Sequence, residues 1–196
     1  MRVFLALELP VEIKQGLAKV RRQLKRSSAN VRWEKPEKLH ITLVFMGAVP
    51  EERVGALKGI VSEGLEGIGQ IKLGLGGFGV FPNEQRPRVV WVGLRGEVET
   101  LSRLQQQLTQ ALSEAGFSFD RKKFHPHVTI GRVPRQKRSA YLGGRGDSDL
   151  AETLREVGVG ELGEAEFTVG AVMIMESVLQ PTGSVYTPLA RIPLGP

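Results

Sequence analysis

The chain contains three histidines, His40, His125 and His127, and two of them open the same four-residue pattern. His40-Ile41-Thr42-Leu43 and His127-Val128-Thr129-Ile130 each set an imidazole and a hydroxyl two residues apart in a β-prone run. Residues i and i+2 of a strand share a face, so His40 and Thr42 point one way while Ile41 and Leu43 point into a core. In the second run His125, His127 and Thr129 share a face, a kink at Gly131 brings Arg132 near it, and Val128 and Ile130 lie opposite. Two such pairs facing across a cleft suit a phosphodiester. In-line displacement needs a base beside the entering oxygen and an acid beside the departing one, on opposite sides of phosphorus. Histidine, with an unperturbed pKa of about 6.5, can supply one neutral and one protonated copy near neutrality. The threonine hydroxyls can donate to the non-bridging oxygens, and Arg132 can offset the charge that develops there. No step requires a metal or another cofactor.

The elements that must hold these residues repeat along the chain. Residues 3–9 read as a short apolar strand, and residues 11–26 as a helix with Ile13, Leu17, Val20 and Leu24 on one face. The first motif follows in the strand Leu39–Phe45. Pro50, Glu51 and Glu52 then open a helix with the stripe Val54, Leu57, Val61, Leu65 and Ile68. The second half reads as strand Val89–Leu94, helix Glu97–Ala115 with Val98, Leu101, Leu108 and Leu112 inward, and strand His125–Val133. Ser148–Val157 looks helical and Glu166–Leu179 reads as one long β-prone run. Moving the sequence by 127 − 40 = 87 positions lays Val3–Leu7 on Val90–Leu94, helix on helix, and motif on motif. One shift that aligns three features in order implies a duplicated unit. The expected architecture is α+β and bilobal: two pseudo-twofold-related lobes of mainly antiparallel sheet, helices on the outer face, and an active-site cleft between them. The motifs at 40–43 and 127–130 then belong to one domain, residues 1–196, made of two intertwined lobes.

Composition narrows the classes. With 41% hydrophobic and 24% charged residues, the chain reads as an ordinary globular protein rather than a disordered one. The absence of cysteine excludes disulfides, thiolate metal sites and thiol nucleophiles, and fits a cytoplasmic protein. The apolar start at Val3 stops at Glu8 and Pro10 with no small-residue cleavage site, so it reads as a strand rather than a leader. No apolar run approaches the roughly 18 residues of a membrane span. The net charge of +6 favours polyanionic partners. Seven basic residues between Arg121 and Arg138, with no acidic residue among them, bracket the second motif. A second cluster, Arg21, Arg22, Lys25 and Arg26, either complements the dipole at the end of the first helix or adds to a polyanion surface.

Two copies of His-x-Thr-x, one per half, resemble the signature of the two-histidine (2H) phosphoesterases. More narrowly the chain resembles the bacterial and archaeal 2′-5′ RNA ligase family, also described as RNA 2′,3′-cyclic phosphodiesterases. The matching segments are Arg2–Ala6, Leu39–Leu43, Phe124–Arg132, Gly77–Pro82 and Ser177–Tyr186, so the resemblance spans almost the whole chain. It implies a metal-free enzyme that opens a terminal ribose 2′,3′-cyclic phosphate to a 2′-phosphate. With a 5′-hydroxyl in place of water, the same site would join RNA through a 2′-5′ linkage. It also implies that His127 activates water, that His40 protonates the departing 3′ oxygen, and that Thr42 and Thr129 hold the phosphate. A pseudo-symmetric site can run in either direction, which leaves the order of the two histidines open. The expected partners are RNA ends bearing a cyclic phosphate, tRNA fragments among them, bound by a monomer. Two rivals stand beside this reading: an esterase for a small cyclic phosphate of ADP-ribose or mononucleotide type, and a non-catalytic RNA-end binder.

Other motifs carry less. His125-Pro126-His127 has the spacing of two metal ligands, but no nearby motif completes a ligand set. Gly74-x-Gly76-x-x-Gly79 spells a dinucleotide fingerprint without the helix that must follow it; glycines in a strand mark a bulge or a close approach of backbones. Arg145-Gly146-Asp147 reads as a turn. The basic segment from Pro134 to Asp147 reads as a mobile surface stretch suited to tracking RNA phosphates. His125, Phe45, Phe78, Phe81 and Tyr186 are candidates for shaping the pocket or stacking on a terminal base.

Overall fold

The computed structural model describes residues 1–134, 145–158, 166–181 and 183–195. In the first half lie β1 (Arg2–Glu8), α1 (Val11–Leu24), β2 (Arg32–Trp33), β3 (His40–Ala48), α2 (Val54–Glu63) and β4 (Ile71–Phe81). The second half holds β5 (Val89–Gly96), α3 (Val98–Glu114), β6 (His127–Arg132), α4 (Arg145–Val157), β7 (Glu166–Val169), β8 (Ala171–Gln180) and β9 (Gly183–Pro193). The described strands form one sheet in the order β7-β4-β5-β6-β3-β1-β8-β9, with β2 added beside β6. Each strand pairing in it is antiparallel. The order mirrors about the β6–β3 junction: β5 and β1 lie next outward, then β4 and β8, then β7 and β9. The fold is therefore the α+β, mainly antiparallel one expected.

That junction makes the cleft. β3 and β6 pair at one position, Ile41 opposite Val128, and beyond it β6 turns to β2, with Gly131 opposite Trp33 and Arg132 opposite Arg32. Ile41, Leu43, Val128 and Ile130 all face a single core cluster that also takes up Ile13, Leu17, Val20 and Leu24 of α1 and Leu101, Leu104, Leu108 and Leu112 of α3. Fully burying each such leucine contributes about 1.5–3 kcal/mol. The α1 stripe is as expected; in α3, Leu104 joins it and Val98 is only half-buried.

Each motif strand carries a bulge at the equivalent place. Opposite Leu5 and Ala6 of β1 stand Val44 and Thr42, and opposite Val90 and Trp91 of β5 stand Gly131 and Thr129. The extra residue, Leu43 or Ile130, puts two successive side positions into the core (Leu43 and Val44, Ile130 and Gly131) and resets the alternation. Phe45 and Arg132 consequently return to the face of the histidines. The kink expected at Gly131 is this bulge. The bulges also correct the offset: β3 maps on β6 at 87, but Leu5 of β1 maps on Val90 of β5, an offset of 90 − 5 = 85. Because the difference is two residues, every side chain keeps its face.

Three further expectations change. The run 166–179 is broken at Gly170 into β7, which pairs β4 at one edge, and β8, which pairs β1 in the other half. Arg145-Gly146-Asp147 lies in the first turn of α4, not in a loop. Leu65 and Ile68 are buried but lie beyond α2, which ends at Glu63. The basic residues Arg135, Lys137 and Arg138 lie outside the described residues. Among the described residues no helix is long and apolar enough to cross a membrane.

Candidate active site

Antiparallel pairing about Ile41 and Val128 sets His40 against Thr129 and Thr42 against His127, all on the face away from the core. The two imidazoles are held in the same way. His40 Nδ1–H donates to the Lys38 carbonyl at 2.7 Å, and His127 Nδ1–H donates to the His125 carbonyl at 2.5 Å. A carbonyl only accepts, so each bond fixes the tautomer that leaves Nε2 unprotonated and available in the neutral ring. Each ring also leans on aromatic walls. Phe4 and Tyr186 stand 5.0 and 5.4 Å from His40 between ring centroids. Phe81 and Trp91 stand 5.3 and 6.1 Å from His127, and both also contact His125. Trp91 can lie there because its cross-strand partner is Gly79: a Cβ at that position would fall 2.2 Å from the indole ring. The glycine-rich stretch thus marks a close approach and, between Leu75 and Phe78, a register shift, as a strand reading requires.

A cavity of about 670 Å³ opens over the junction, lined by His40, Thr42, Phe45, Thr129, Arg132 and Tyr186 among others. Arg2, Arg32, Lys35 and Lys38 give its wall a positive charge. His127, His125 and Phe81 form the adjoining shoulder of the second half rather than the lining itself. Phe78 does not belong to the site. It pairs with Val92 on the core side of β4 and lines a separate depression beside Ala151 and Leu154 of α4. Phe78 and Phe81 are an odd number of residues apart on one strand, so they cannot share a face without a bulge between them.

Burial dominates the electrostatics of both imidazoles. It pushes His40 down to about 4, aided by the positive charges of Arg132, Lys14 and His127 and opposed by the bond to Lys38. It lowers His127 as well, with His125 and Arg132 adding to the effect and the His125 carbonyl opposing it. Burial, then the nearby Glu34 carboxylate, raises the Tyr186 hydroxyl. Both shifts favour the neutral imidazole in the free protein, and an anion bound beside the rings would favour the charged form of either.

Composition and spacing gave no sign of four residues at this site. Phe4 and Trp91 read as apolar strand positions; their face follows only once the bulges are known. Lys38 reads as one loop charge among several, yet its Nζ donates to the Ser184 carbonyl at 2.5 Å and so ties β9, with Tyr186, to the loop that orients His40. Glu34 pairs with Arg132 at 3.4 Å. In the basic cluster at the end of α1, Arg21 donates to the Glu34 carbonyl and Arg26 to that of Gln23, so both serve local structure. Among the described residues no group of three or more His, Asp or Glu side chains is placed to hold a metal ion.

Two His-x-Thr strands meeting at the seam of a mirrored antiparallel sheet are the arrangement of a two-histidine phosphoesterase. The chain belongs to the LigT-like phosphoesterase family, whose profile matches residues 7–91 and again 92–186. It is 34% identical over 187 residues, 95% of either chain, to an RNA 2′,3′-cyclic phosphodiesterase of Methanothermobacter thermautotrophicus. To the protein of the same name from Thermotoga maritima it is 30% identical over 95% of this chain and 91% of that one. Among solved structures it is similar to TT0787 of Thermus thermophilus, with TM-score 0.78 and 28% identity over 99% of this chain and 98% of that one. E. coli LigT in complex with 3′-AMP gives TM-score 0.73 and 25% identity over 98% and 97%.

Proposed function

We propose that this phosphoesterase opens RNA 2′,3′-cyclic phosphate ends to 2′-phosphates, without a metal, using His40 and His127 as acid and base. The observation that carries the reading is the matched anchoring of the two imidazoles, each with its Nδ1 held by the carbonyl two residues earlier and a threonine from the opposite motif beside it. The names of the similar proteins support the substrate. The water oxygen attacks phosphorus and gives its proton to Nε2 of His127. The bond from phosphorus to O3′ breaks in line, and O3′ takes a proton from His40. Thr42, Thr129 and Arg132 donate to the non-bridging oxygens, where charge builds in the transition state. A 5′-hydroxyl in place of water gives a 2′-5′ linkage by the same steps. Phe45, 52% exposed in the cavity that His40 lines, offers a face on which a terminal base can stack, with Tyr186 in the same lining across Phe4; His125 and Phe81 shape the adjoining shoulder around His127. The two repeats act as one domain, a cytoplasmic monomer.

End-group analysis tests the reading. An RNA oligomer ending in a 2′,3′-cyclic phosphate should acquire a 2′-monophosphate, with chelators leaving the rate unchanged and a cyclic mononucleotide reacting more slowly. A 3′-phosphate product, or loss of activity with chelators, would reject the mechanism; faster turnover of the mononucleotide would favour the small-molecule esterase. Binding without turnover of any cyclic phosphate would leave an RNA-end binder.

The pH dependence follows from the two lowered histidines. The active form holds one proton between them, and the pair titrates as a unit, so kcat/KM rises with pH through the pair's lower value, about 4. It falls through the upper one, below the usual 6.5, and because His40 is the more strongly lowered ring, the form with the proton on His40 is the minor tautomer of the singly protonated pair. The maximum is expected below pH 6.5, followed by a decline of about tenfold per pH unit on the alkaline side. A rate profile still rising at pH 8 would count against paired imidazoles.

A further inference from the structure

Glu34 is a carboxylate in a cavity built for an anion. Its backbone is pinned from two sides: its N–H donates to the Ile130 carbonyl at 2.9 Å, and its carbonyl accepts from Arg21 Nη1 at 2.8 Å. Its side chain, 22% exposed, lines the cavity with His40, Thr42 and Thr129 and stands 3.4 Å from Arg132 Nε. The other carboxylate of that lining, Asp120, is engaged by Lys122 at 2.8 Å. Glu34 thus occupies the Nε edge of the Arg132 fork and leaves the terminal nitrogens for a ligand. It also offsets the charge of Arg132 through a partly exposed ion pair.

The charge balance matters because substrate and product differ in charge. A cyclic phosphodiester carries one negative charge; the monoester it yields ionises a second time near pH 6. We infer that Glu34 is a specificity-determining residue, a fixed negative charge that makes the site prefer the singly charged diester to its doubly charged product. This rests on the phosphodiester reading above. The groups around Glu34 are Arg21 from α1, Arg132 from β6 and Tyr186 from β9, with Lys35, Lys38 and His40 lining the same cavity. Losing the Glu34 charge removes part of the upward push on the Tyr186 hydroxyl, but burial, the larger cause, keeps it raised, so it stays protonated at both pH values of the test below.

Glu34→Gln keeps the shape and an acceptor for Arg132 but removes the charge. Adenosine 2′-monophosphate is the probe, with its Kd measured by calorimetry at pH 5.5 and 8.0, alongside kcat/KM on a cyclic-phosphate oligomer. At pH 8.0 the variant should bind the monoester about tenfold tighter than wild type, the equivalent of one pKa unit of interaction. The gain should shrink to about threefold or less at pH 5.5, where the probe is mostly singly charged, and kcat/KM should change less than Kd does at pH 8.0. A merely structural Glu34 would weaken both ligands together, with no dependence on pH; that result, or an unchanged Kd, overturns the inference. A wild type that binds the monoester but opens no cyclic phosphate would reject the parent reading, while the calorimetric comparison would still decide the role of Glu34. Absence of monoester binding to both proteins would overturn it.

Discussion

Replacing His40 or His127 with alanine should lower kcat on a cyclic-phosphate RNA by about 10² or more, the range expected when a general acid or base is lost. Fold should survive both changes, because the two rings stand on the cleft face and not in the core cluster. The variants should then separate by leaving group. From a p-nitrophenyl phosphodiester the p-nitrophenolate ion leaves without taking a proton, so a variant lacking the acid should recover most of its rate on that substrate and a variant lacking the base should not. With His40 as acid, His40→Ala is rescued and His127→Ala is not. The reverse pattern exchanges the roles, and near-normal rates in both variants would remove the histidines from the chemistry.

The second large effect is expected at Arg132. Its guanidinium returns to the cleft face only through the bulge at Ile130 and Gly131, and among the described residues it is the one cation carried there by a motif strand. Arg132→Met should reduce kcat/KM by about 10²–10³, as for removal of a donor aimed at developing charge. Arg132→Lys should restore only part of this, because an ammonium cannot hold Glu34 and two phosphate oxygens in one plane. Full activity in the lysine variant would show that charge alone suffices. The equivalent position in the first half is Phe45, so the sheet is mirrored but the site is not: one side offers charge and the other an aromatic face.

The histidine and threonine positions were legible in the sequence because strand alternation is strict over three residues, and Ile41 and Val128 had to be buried. The repeat was legible too, though its offset in β1 and β5 was read two residues long, an error that alternation hides. What could not be read were departures from alternation and contacts between distant segments. The bulges at Leu43 and Ile130 insert a residue that looks like ordinary apolar sequence. The break at Gly170 sends one continuous β-prone run to opposite halves of the sheet, which local propensity cannot foresee. Phe78 could have been set aside by counting, since it stands three positions from Phe81 on the same strand. Glu34 and Lys38 gave no signal because their roles depend on Arg132 and Ser184, about 100 or more residues away.

Convergence of both rings on one phosphate is best tested by recording the imidazole nitrogens of ¹⁵N-histidine protein while adenosine 2′-monophosphate is added. The Nε2 signals of His40 and His127 should both move, with one shared Kd and one equivalent bound, while both Nδ1 positions stay protonated. Movement of only one ring, or two rings saturating at different concentrations, would mean that the histidines serve separate sites.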